Sequence, residues 1–371
     1  EYMDPRQIQI FHCIHRCVRR ARLCGNDPVT GMCFEHRRRW IRQRGEFLAS
    51  VFAVDCLTYT VLSNHLHLVL RSRPDVVDRW SDEQIARRWL RLYPKRKRDD
   101  GSAEEPNRAE IDSIVNDPER VKTLRGRLSD ISWSMKSLAE KIARQSNGED
   151  QVTGHFWESR FKAQALLDEA SVLACAAYVD LNPIRAALAE RLEESEFTGA
   201  KDRIDDLISS TLQDLSDHQW ERSVACTRSG WMSPIEIDER TDRLGPDVCE
   251  GDLPRRGSDK GFLPISLRAY LELVDWTGRE VVAGKRGAVP KHLAPILERV
   301  GLQPKSWCTL IVNFGSLFRR AVGRSPSMDA ETTRRGQLWI CLLYTSPSPR
   351  DSCIHLVCRL LLEKGGGGGG G

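Results

Sequence analysis

The chain has no apolar run approaching the roughly 18 residues of a membrane-crossing helix, and its opening, EYMDPRQIQIF, lacks the apolar stretch of a signal peptide. A cytoplasmic protein with no membrane partner is expected. Twelve cysteines are present, yet no Cys-x-x-Cys pair occurs among them. The nearest grouping, Cys13, Cys17, Cys24 and Cys33, lacks the paired spacing of structural zinc, so reduced and mostly buried thiols are expected. Net charge is also small, at +4.

That small total hides an uneven spread. Residues 1–100 hold 20 Lys or Arg against 12 Asp or Glu, a balance of +8, which leaves −4 for the other 271. The clusters HRCVRRAR (15–22), HRRRW (36–40) and KRKR (95–98) can neutralise phosphates; taken singly, each is more readily a solvated helix face or loop. An apolar fraction of 40% and a charged fraction of 29% describe a globular chain, and 371 residues suffice for about two domains.

Patterning divides the chain. QIQIFHCIHRC reads as a strand, residues 34–49 as a helix, and SVFAVDCLTYTVLSNHLHLVLRS (50–72) as two strands. In the second of these, His65, His67 and Val69 share one face while Leu66, Leu68 and Leu70 share the other. The leucine face belongs to the core, which makes the histidine face the working side. Residues 76–150 are mostly helical in pattern, interrupted by the charged loop KRKRDDGSAEEPNRAE; LSDISWSMKSLAEKIARQSN is an amphipathic helix. An acidic, polar linker is expected over 196–260 and a small helical unit over 261–335. The end, 341–371, closes in seven glycines and fits no natural pattern, so it is treated as a non-native tail.

Two same-face imidazoles can converge on a divalent ion, and an ordinary polar pair would look the same. DEASVLACAAYVDLNPIRAALAERL (168–192) supplies further groups. Asp168 is a candidate N-cap, and Val172, Leu173 and Ala176 form an apolar stripe with Tyr178 nearly opposite. Asn182 follows Tyr178 by four residues, on the same side one turn later, and Pro183 disfavours helix at Asn182. The aromatic and basic run at 155–162 can stack on bases through His155, Phe156 and Trp157 and hold phosphates through Arg160 and Lys162, or its aromatics can simply pack the core. Arg16, Arg19, Arg20 and Arg185 are further phosphate candidates.

NHLHLVL, GHFWESRFKAQALL and AAYVDLNPIRAAL, in that order, resemble the single-tyrosine HUH transposases, especially the REP-associated tyrosine transposases and their longer relatives among insertion-sequence transposases. These motifs span roughly residues 8–195, about half the chain. The resemblance implies an α/β (α+β) fold, with a ferredoxin-like antiparallel sheet, helices on one face, and a transposase domain at 1–195 carrying 71–150 as an extension. It implies that His65 and His67 are the HUH pair, Tyr178 the nucleophile, and Asn182 the third ligand of Mg²⁺ or Mn²⁺. It implies DNA transposition and recombination on single-stranded or hairpin DNA through a 5′-phosphotyrosine, and leaves a homodimer open. The alternative is a domesticated, non-catalytic protein that binds DNA hairpins or regulates transcription. Replication initiators and relaxases share the chemistry but usually carry larger accessory regions.

Overall fold

The alternation in HLHLVL decides the architecture. Leu66, Leu68 and Leu70 enter one buried cluster and Val69 enters another, so the strand separates two cores. The computed structural model describes residues 3–18, 22–27, 31–99, 102–214, 227–238, 255–282, 291–318 and 320–336. Arg19, Arg20 and the 341–371 tail lie outside them.

The element order is β1 (Ile10–Arg16), α1 (His36–Val51), β2 (Val54–Val61), β3 (His65–Ser72), α2 (Pro74–Val77), α3 (Asp82–Leu92), α4 (Arg108–Val115), α5 (Pro118–Leu128), α6 (Ile131–Glu149), β4 (Lys162–Leu166), α7 (Glu169–Asp180), the single turn α8 (Asn182–Arg185), α9 (Gly199–Asp214), α10 (Leu267–Val282), α11 (Ala294–Arg299), α12 (Trp307–Leu317), β5 (Ala321–Val322) and α13 (Ser325–Arg334). The sheet order is β2-β3-β1-β4-β5. Each neighbouring pair among β1 to β4 is antiparallel, with β3 inserted between β1 and β2 in the split βαβ order. The short β5 adds in parallel beside β4, which makes the sheet mixed where an antiparallel one was expected. β4 was not anticipated as a strand, because its five residues lie in a run that reads as aromatic and basic.

Helices cover both faces, against the expectation of one. The leucine face packs on α1, on α6 and, through them, on α3 to α5. In that extension α3, α4, α5 and α6 each start on a side-chain cap, from Ser81, Asn107, Asp117 and Asp130, so four successive short helices are locally specified. The histidine face packs on α7, and α12 closes over α7 from the other side, with α10 packed on α8 and α12. Asp168 caps α7, accepting from Ser171 N at 2.9 Å. Within the stretch expected as a linker, α9 is helical and residues 227–238 and 255–263 run along the outside of β2, with Met232 bridging Cys56. That strap occupies an otherwise open strand edge. Among the described residues no helix is long and apolar enough to cross a membrane. None of the seven described cysteines is in a disulfide, and among them only Cys33 is exposed.

Candidate active site

The antiparallel register places even-numbered residues of β1 on the same face as odd-numbered residues of β3: Ile14 faces His67 and Arg16 faces His65. His12, opposite Val69 and diagonal to His67, joins the site from β1, and Gln164 lies across from it on β4. A polar ladder therefore crosses the sheet, buried beneath α7 and α12. His12 Nδ1 lies 2.7 Å from Gln164 Oε1, and His12 Nε2 lies 2.8 Å from His67 Nδ1. His67 Nε2 meets the Asn182 amide nitrogen at 3.3 Å.

Hydrogen-bond logic assigns the protons along this ladder. The carbonyl of Phe318 can only accept, so Gln164 Nε2 donates to it at 2.5 Å and leaves Oε1 to accept from His12 Nδ1–H. His12 Nε2 must then accept from His67 Nδ1–H. His67 consequently turns an unprotonated Nε2 toward Asn182. His65 donates from Nδ1 to Asn64 Oδ1 at 2.6 Å and likewise keeps its Nε2 lone pair. Burial pushes the pKa of His12 down to about 4. Burial, then the nearby Arg16, does the same for His65, also to about 4. His67 is held well below its usual range by burial and then by its imidazole neighbours. All three are neutral at physiological pH, the state in which imidazole can act as a ligand.

Whether these groups suit an ion is a question of donors. Among the described residues no three His, Cys, Asp or Glu side chains cluster as a metal site. Two imidazoles are available, their ring centroids 4.8 Å apart. An oxygen must come from elsewhere, and turning over the Asn182 amide exchanges Nδ2 for Oδ1 beside His67. That donor set, two neutral nitrogens and an amide oxygen, suits a divalent ion.

Tyr178 sits at the same place. Its ring centroid is 5.9 Å from His67 edge-on, 5.9 Å from His12, and 5.1 Å from Phe314 of α12. The stripe argument expected it opposite the apolar side of the helix; instead α7 is buried all round from Ala170 to Asp180, because α12 covers the side away from the sheet. Tyr178 is 8% exposed. Gly315 allows that closeness, since a Cβ there would lie 2.7 Å from the Tyr178 hydroxyl. The hydroxyl itself has no hydrogen-bond partner among the described residues. Arg185 lies over the tyrosine ring at 4.7 Å and donates to Val312 O at 2.6 Å, so the structure places it on the candidate nucleophile.

The remaining candidates are spread along the sheet end. Arg16, His155, Arg160 and Lys162 are exposed. Phe156 is buried and Phe161 packs on the core. Trp157 stacks on His15 at 4.0 Å and donates from Nε1 to Ala139 O at 2.8 Å, which commits one face and one edge to packing. Sequence reasoning missed His12 and Gln164. The available signal was register: once β1 and β3 are paired, a polar residue on the even face of β1 must meet His67.

No protein-family model matches the chain, and neither does any curated protein. Among solved structures it is similar to a REP-associated tyrosine transposase bound to a REP hairpin, at 12% identity, with 61% of this chain and 93% of that chain covered and a TM-score of 0.30. A likeness that loose fixes neither fold nor activity, and the chemistry has to come from this chain's own side chains.

Proposed function

We propose that the chain is a transposase, a DNA strand transferase that cuts single-stranded or hairpin DNA through a 5′-phosphotyrosine. The observation that carries this reading is the convergence of the Tyr178 ring, 5.9 Å from His67, with the His67–Asn182 pair at one buried position, from strands and helices far apart in sequence. Tyr178 Oη forms a bond to the scissile phosphorus, the bond from phosphorus to the 3′ oxygen breaks, and the phenolic proton is lost as the 3′ oxygen gains one. A phenol has a reference pKa near 10, so charge developing on its oxygen needs help, and the Arg185 guanidinium over the ring supplies a favourable field. Because the linkage retains the phosphodiester energy, a 3′ hydroxyl on another strand can reverse the step and complete strand transfer. His65 and His67 through Nε2, and Asn182 through its amide oxygen, are the residues that would hold Mg²⁺ or Mn²⁺; when bound, such an ion supplies positive charge for phosphate oxygens. Exposed Arg16, Arg160 and Lys162 would take flanking phosphates.

The test is an SDS-resistant adduct between the chain and labelled hairpin DNA with a single-stranded flank. His65→Ala and His67→Ala are expected to lose it, and Mn²⁺ is expected to restore it to chelated parent protein. Full adduct yield in EDTA would remove the metal from the scheme. The ladder behind His67 gives a finer check. His12→Phe keeps a ring but no nitrogen, so His67 loses the partner that fixes its tautomer, and Mn²⁺ affinity measured by calorimetry should fall about 10- to 100-fold. Unchanged affinity would mean that the ladder serves packing alone. A second reading, hairpin binding without turnover, is favoured by the cover that α12 puts over Tyr178; hairpin binding with no adduct under any metal would select it.

A further inference from the structure

The helical extension carries an aromatic and cationic cluster that the reading above leaves unused. Trp89 and Tyr93 of α3 and its end lie 4.9 Å apart, and Trp89 meets Trp133 of α6 edge-on at 5.7 Å. The Arg127 guanidinium lies 4.4 Å from the Trp133 ring and 5.6 Å from that of Trp89, and the Lys136 ammonium lies 4.7 Å over Trp133. Both indoles are only half-buried, and Tyr93 and Lys136 are exposed. Neither Arg127 nor Lys136 has a carboxylate partner among the described residues. Two unpaired cations on partly open indole rings are what a packing cluster does not need and a stacked nucleotide does.

A surface groove of about 490 Å³ is lined by Trp89 and Leu124, by Arg120 and Arg127, and by Asp117 and Glu119. Asp117 is engaged as the cap of α5. Two carboxylates there face two guanidinium groups, so the groove is balanced in charge and suits an uncharged base beside Trp89, while exposed Lys136 stays outside it for the backbone. We propose that Trp89, Trp133, Arg127 and Lys136 form a second DNA site that stacks an unpaired base of the strand flanking the cleaved hairpin. The proposal rests on the DNA reading above. The cluster lies on the leucine side of the sheet, and its link to the site runs round the sheet end: Trp157, which bridges Cys17 at the His65 end, is tied to Ala139 of α6, and Trp133 lies six residues earlier on that helix, about 9 Å along its axis.

The full chain carrying Tyr178→Phe, which is expected to form no adduct, is titrated with oligothymidylate and followed by fluorescence anisotropy. Trp133→Leu is expected to weaken binding roughly 5- to 150-fold with the salt dependence unchanged, the loss of one stacked base. Lys136→Gln, an exposed change that leaves folding intact, is expected to lower the slope of log affinity against log salt by about 0.7. A bromodeoxyuridine probe should cross-link to the peptides holding Trp89 or Trp133. Parent-like binding by Lys136→Gln, absence of oligothymidylate binding, or cross-links confined to other helices would overturn the proposal. Adduct formation by the parent chain is read separately, so a protein that stacks the oligomer yet forms no adduct refutes strand transfer and keeps this site.

Discussion

Tyr178→Phe removes the covalent adduct and leaves hairpin binding and the melting temperature close to those of the parent chain. The substitution deletes one oxygen that no described residue engages, so little hydrogen-bond energy is lost, while the ring keeps its contacts with His12, His67 and Phe314 and its place under Arg185. The other described tyrosines are poor substitutes. Tyr59 and Tyr270 are fully buried, and burial followed by the facing carboxylates of Asp202 and Asp180 pushes both phenols well above their usual pKa. Tyr93 belongs to the extension on the leucine side of the sheet. Adduct yield measured by denaturing gel for parent and variant decides the matter: an adduct formed by the Phe variant would move the nucleophile to another residue.

The parts of this arrangement that were legible in the sequence are those set by local rules. The period-two pattern of HLHLVL orients both histidines, and Asp168 with Ser171 marks the start of α7; each depends only on neighbouring residues. What escaped depends on long-range pairing. A lone His12 carries no spacing cue, and it becomes part of the site only through strands 55 and 152 residues away. The roof over Tyr178 comes from Phe314 and Gly315, and no periodicity within α7 can reveal that its polar-looking side is covered by another helix. The polar composition of 196–260 concealed buried roles in the same way. Asp202 accepts from Tyr59 and Arg42, and Arg203 reaches the carbonyls of Leu57 and Ser233. A charged residue reads as solvent-exposed unless its partner is known.

Asp55→Asn should destabilise the chain by about 3–5 kcal/mol, although it lies outside the candidate site. The Asp55 carboxylate is 1% exposed and accepts from Arg71 at 2.7 and 2.9 Å, from Arg73 at 3.2 Å, and from Ser258 at 2.9 Å. Arg71 continues outward to the carbonyls of Gly261 and Lys260, so the network pins residues 258–261 to the sheet. An amide of the same shape leaves two buried guanidinium groups facing a neutral oxygen and an N–H that repels them, and removing one partner of a buried pair costs far more than the pair itself contributes. Asp75 compensates Arg73 at 2.8 Å, but Arg71 has no second carboxylate among the described residues. Ser258→Ala, which deletes only a neutral partner, should cost about 1 kcal/mol. Urea unfolding of both variants checks the ratio, and because the pair is shielded from solvent the Asp55→Asn loss should persist at high salt. The chain from Gly261 leads through Phe262, Leu263 and Ile265, all in the second core, into α10, so loosening this strap also loosens the unit that roofs Tyr178. A loss of stability no larger for Asp55→Asn than for Ser258→Ala would mean that the carboxylate is solvated and that the strap is held by its backbone alone.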